Sequence, residues 1–91
     1  MYPKVINVKP DKNYILYLMF DNEEIRKFDL KPYLDFGIFA ELKDVNVFNS
    51  VKVSFDTIEW SNQADLDPEF LYQKSELLQN SDVFTKDLQL V

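Results

Sequence analysis

Residues 14–30 read "YILYLMFDNEEIRKFDL", and the fold turns on them. "YILYLMF", residues 14–20, is apolar at every position and rich in aromatics, the pattern of a strand covered on both faces rather than of an amphipathic helix. "DNEE" at 21–24 supplies turn formers, and "IRKFDL" then sets Ile25 or Arg26 in alternation with Phe28 and Leu30. The two runs read as an antiparallel hairpin whose first arm is the central strand of a sheet.

Upstream, "KVINVKP" reads as a further strand closed by Pro10–Asp11, so a three-stranded meander opens the chain. Downstream, "KPYLDFG" places Pro32 where the first turn of a short helix tolerates it. Gly37 breaks that turn before "IFAELKD" makes another, ending near Asp44. "VKVSF" and "TIEW" form a second hairpin around Asp56, with Val51, Val53 and Phe55 on one face and Ile58 and Trp60 sharing a face across it. These two strands are expected to join the sheet. "SNQAD" is a loop, a helix runs from about Pro68 to Leu78, and residues 79–91 read either as a docked strand or as a flexible tail. The pattern predicts an α+β fold with a small, mostly antiparallel sheet, in one domain over residues 1–91, without repeat, low-complexity tract or linker.

Composition bounds the chemistry. A chain of 91 residues is near the size where folding removes only about two thirds of the unfolded surface from water. With 46% hydrophobic residues, eight Phe, five Tyr and one Trp, it has ample material for one core. It has no Cys and no His, which excludes disulfides, thiolate nucleophiles, imidazole bases, and thiolate or imidazole zinc sites. No secretory signal pattern and no run of about 20 apolar residues is present, so no membrane association and a cytoplasmic location are expected.

The net charge is −6, and Arg26 is the single arginine, which argues against a surface for duplex nucleic acid. The charge is uneven. Residues 1–20 carry Lys4, Lys9 and Lys12 against Asp11, whereas the C-terminal third carries six acids against Lys74 and Lys86. That third would either attract a basic partner or serve solubility.

The order of Pro3-x-Val5, the aromatic strand, "FD" at 28–29, "PYL" at 32–34 and "IEWSNQADLDPEFLY" at 58–72 resembles a bacterial family of small proteins, domain of unknown function 2442. Members usually carry a glycine before the "AD", where this chain has Gln63, and often one in the first hairpin, where it has Glu23 or Glu24. The resemblance implies an α+β fold of mixed sheet and short helices, with no established activity. Some relatives look fused to a helix-turn-helix domain, and others resemble partners of small toxin-like proteins encoded beside them. A few carry a molybdopterin-biosynthesis name, but a nucleotide enzyme needs a glycine-rich phosphate loop and Gly37 is the only glycine here.

The carboxylates of residues 59–69 divide by cause. Asp67 falls at an N-cap, Pro68 at the first helical position and Glu69 in the first turn, where negative charge favours the helix dipole. Leu66 before the cap and Leu71 four residues after it have the spacing of a hydrophobic staple. The metal reading takes Glu59, Asp65 and Asp67 as oxygen ligands for Mg²⁺ or Mn²⁺ in a small carboxylate enzyme. Trp60 is either core against the C-terminal helix or an exposed partner anchor. No cofactor is expected. The leading expectation is a non-enzymatic interaction or regulatory accessory module, antitoxin-like, whose partner surface comprises Trp60, Asn62, Asp65 and Tyr72. Its partner would be a basic protein encoded nearby. Edge strands of such a sheet can pair between copies, so the oligomeric state stays open.

Overall fold

The computed structural model describes residues 2–78, and the strand or tail expected of residues 79–91 lies outside them. β1 (Val5–Asp11), β2 (Ile15–Phe20) and β3 (Ile25–Asp29) form the antiparallel meander. β1 runs one residue past Pro10. Its turn is instead a short 3-10 segment at Lys12–Tyr14, where Asn13 and Tyr14 both take φ of 61°.

β2 lies between β1 and β3, but it is not covered on both faces. Leu16, Leu18 and Phe20 are wholly buried, while Ile15, Tyr17 and Met19 on the reverse face are half-buried. An uninterrupted apolar run thus serves a sheet whose second side is only partly shielded.

The 3-10 segments Lys31–Tyr33 and Gly37–Lys43 make the broken helical stretch. It continues beyond Asp44 into α1 (Val45–Phe48), because the Asp44 carboxylate accepts from the Asn46 N–H at 2.9 Å and caps a turn that β-branched residues alone would not start. β4 (Lys52–Ser54) and β5 (Thr57–Glu59) pair as a hairpin. Contrary to expectation, they form a separate two-stranded sheet. The hairpin lies beside β1, joined to it by the Val5 N–H donating to the Asp56 carbonyl at 3.2 Å.

α2 spans Pro68–Lys74, not Pro68–Leu78. Ser75 takes an extended conformation (φ −83°, ψ 157°), and the chain goes on as β6 (Glu76–Leu78) paired with β3. Arg26 fixes that turn. Its Nε donates to Ser75 Oγ at 2.7 Å, its Nη2 donates to the Ser75 carbonyl at 2.9 Å, and its guanidinium lies 4.3 Å from the centre of the Tyr72 ring. The tertiary pairing of β6 with β3 thus prevails over the local helical pattern. The main sheet has the order β1-β2-β3-β6, and the fold is α+β. Its core packs Leu16, Leu18, Phe20 and Phe28 against Phe48, Trp60 and Leu71. Among the described residues, no helix is long and apolar enough to cross a membrane.

Candidate functional site

The stretch from Ile58 to Tyr72 is resolved into two constructions. The first is a tight turn. Trp60 N–H donates to the Ala64 carbonyl at 2.9 Å and Gln63 N–H to the Trp60 carbonyl at 2.8 Å, with Gln63 at φ 73°. This is a three-residue hairpin loop whose last residue is left-handed, a position that favours glycine. The first hairpin repeats the design: Phe20 N–H donates to the Glu24 carbonyl and Glu23 N–H to the Phe20 carbonyl, both at 2.9 Å, with Glu23 at φ 71°. Even the middle residue is the same. Asn22 Oδ1 accepts from Glu24 N–H, and Asn62 Oδ1 accepts from Ala64 N–H, each at 3.1 Å.

Asn62 is therefore occupied as a turn former, and its side-chain amide also donates to Glu41 Oε1 at 2.9 Å. Trp60 is core: 1% of its surface is exposed, Nε1 donates to the Phe48 carbonyl at 3.0 Å, and Phe39 meets its ring edge-on at 6.3 Å. It is not available as a surface anchor. Tyr72 is half-buried, packs edge-on against Phe20 at 5.2 Å and donates its hydroxyl to Glu24 Oε1 at 2.8 Å. That hydrogen bond, with a second from Arg26, holds the Glu24 carboxyl below its usual range against the opposing effect of burial.

The second construction is the entry to α2. Asp67 Oδ2 accepts from Phe70 N–H at 3.1 Å, Pro68 stands at the first helical position and Glu69 in the first turn. Leu66 and Leu71 are both buried in the same core. Asp67 is thus committed to its helix. Among the described residues, no group of three acidic side chains is placed to hold a metal ion. Glu59, Asp65 and Asp67 accordingly do not form the expected ligand set. Glu59 and Asp65 are backbone partners in an isolated antiparallel bridge, and Glu59 faces Lys52 across the hairpin.

What these elements do assemble is an acidic face. Between Lys52 and Lys74 the chain has no lysine or arginine and five acids: Asp56, Glu59, Asp65, Asp67 and Glu69. Ser54, Phe55, Asp56, Thr57, Glu59 and Asp65 line an open concavity of about 440 Å³ at the tip of the β4–β5 hairpin. A second concavity, of about 350 Å³, is lined by Tyr2, Glu69, Tyr72 and Gln73. Tyr2 joins the two. Its hydroxyl reaches toward Asp56 Oδ2 at 3.5 Å, and partial burial, then Asp56, Asp67 and Glu69, raise its pKa above the ordinary phenol value. Thr57 Oγ1 donates to the Leu66 carbonyl at 2.7 Å, which ties the hairpin to the loop before α2.

Phe55 is the residue that sequence reasoning misplaced. The alternation sets it on one face with Val51 and Val53, which are half-buried, yet it is 99% exposed. Ser54 pairs with Thr57, so the loop is Phe55–Asp56, and Phe55 has left the strand alternation with φ 55°. The signal was the two-residue spacing of the loop, which the apolar character of Phe55 masked.

The first-strand lysines gain no arginine companion, because Arg26 is turned toward Tyr72 and Ser75 with 13% of its side chain exposed. Carboxylates on an open surface suit the binding of cationic groups.

A family model described as "Protein of unknown function (DUF2442)" matches residues 5–76. No curated protein and no solved structure matches the chain.

Proposed function

The chain belongs to the DUF2442 family, and on that premise we propose that it is a non-enzymatic protein-interaction module acting in the bacterial cytoplasm, an antitoxin-like or regulatory accessory protein that binds a basic protein. The observation that carries this reading is the acidic face. Five carboxylates stand between Lys52 and Lys74 with no cation among them, spread over a hairpin tip, a loop and a helix start. Such a field steers and orients a cationic partner, and its strength falls with ionic strength.

The test is co-purification of the tagged full-length chain at native expression level, at low and at high salt. A stoichiometric basic partner is expected, released by salt and lost when Glu59 and Asp65 are both replaced by lysine. Retrieval of no stoichiometric partner, or of one insensitive to that double charge reversal, overturns the proposal.

A further inference from the structure

Phe55 is the most exposed large apolar residue described, at 99%. Neither the fold nor its turn calls for a phenylalanine there. The ring packs against nothing, and a two-residue hairpin loop with φ 55° at its first position suits glycine, not a residue with a Cβ. The hairpin nonetheless presents the ring on a braced support. Val5 N–H binds the Asp56 carbonyl behind it, and Thr57 is tied to Leu66.

We infer that Phe55 is the anchor of the proposed interaction surface: its ring enters an apolar pocket of a basic protein partner, while Asp56, Glu59 and Asp65 around its base pair with lysines or arginines at the pocket rim. The inference rests on the interaction-module reading and names the partner's chemistry. Charge complementarity selects that occupant, because the lining of the concavity shared by Phe55 and the three acids contains no basic residue, Lys52 standing across the hairpin from Glu59. A buried aromatic ring surrounded by charged pairs is the usual energetic centre of such an interface. Phe36 provides the contrast. It is 65% exposed, but its neighbour Asp35 is already paired with Lys43 at 2.8 Å.

The experiment uses the full chain in its own cells, with the photo-reactive p-benzoylphenylalanine replacing Phe55 in one version and Phe36 in another. The expected result is one cross-linked protein from position 55, attached at an apolar residue bordered by lysine or arginine. The product should be absent from position 36 and lost when Asp56, Glu59 and Asp65 become Asn, Gln and Asn. With that protein purified, Phe55→Gly should weaken binding about 30-fold, the scale of an interface hot spot. The same variant should melt a few degrees higher than wild type, since the left-handed residue is relieved.

No product from position 55, an equal product from position 36, or attachment at a surface without basic residues overturns the inference. If wild type and Phe55→Gly retrieve the same partner equally well, the interaction module stands and the anchor falls. If neither retrieves one, both fall.

Discussion

Replacing Gln63 with glycine should stabilise the protein, and replacing Glu23 should do so by a similar amount, because the two residues occupy the same position of the same turn. Both are left-handed, at φ 73° and 71°, and each closes a loop in which an asparagine Oδ1 accepts a backbone N–H at 3.1 Å. An L-residue with a Cβ in that conformation costs roughly 1–2 kcal/mol. Glycine removes this cost but adds unfolded-chain entropy that opposes folding by about 0.4–1 kcal/mol. The net gain is about 0.5–1 kcal/mol per turn. For a domain of this size, each kcal/mol corresponds to about 4–8 °C in melting temperature. The turns share no hydrogen-bond partner, so the double variant should give the sum to within about 0.5 kcal/mol.

Urea unfolding monitored by the fluorescence of Trp60, the only tryptophan, reads this directly. Alanine at each position is the control, since it removes the same side-chain contacts but keeps the Cβ. If glycine is no more stabilising than alanine, backbone conformation is not the source of the cost and the argument fails.

Three other outcomes follow from the same geometry. Trp60→Ala should cost about 3–5 kcal/mol in urea unfolding followed by circular dichroism, since it empties a fully buried site and leaves the Phe48 carbonyl without its donor. Asp67→Ala should cost about 1 kcal/mol through loss of the α2 cap, with Asp67→Asn recovering most of it. Glu24, with its folded pKa depressed chiefly by the Tyr72 hydroxyl and then by Arg26, contributes stability above its unfolded pKa and loses it as pH falls through the folded value. Tyr72→Phe should therefore raise the Glu24 pKa in an NMR titration. The variant's stability deficit should be largest near neutral pH and smaller once the carboxylate is protonated in acid, and an unchanged Glu24 titration would refute the assignment.

The meander was legible because its signals are local. A continuous apolar run, a polar turn at 21–24 and a second apolar alternation leave few other arrangements. The start of α2 was legible for the same reason, as the Asp67 carboxylate, the Pro68 ring and the first turn all lie within a few residues of one another. The end of α2 was not. Nothing near Ser75 announces that Arg26, 49 positions away, will hold its hydroxyl and carbonyl and turn Glu76–Leu78 onto β3. Phe55 misled for a related reason: its side chain predicts a strand interior, and only the register of Ser54 with Thr57 places it in the loop.

The candidate site divides along the same line. The sequence by itself determined the absence of imidazole and thiol chemistry, the excess of acids after Lys52 and the single-core α+β character, since composition and short-range periodicity decide these. Tertiary structure alone decided that Trp60 is core, that the Asn62 side-chain amide is engaged by Glu41, and that Asp56, Glu59 and Asp65 open on one concavity beside an exposed Phe55. The physical reason is that a side chain's availability depends on what its hydrogen-bonding groups and apolar surface meet after the chain has closed on itself, and those partners come from β1, α1 and the loop before α2 rather than from its neighbours in sequence.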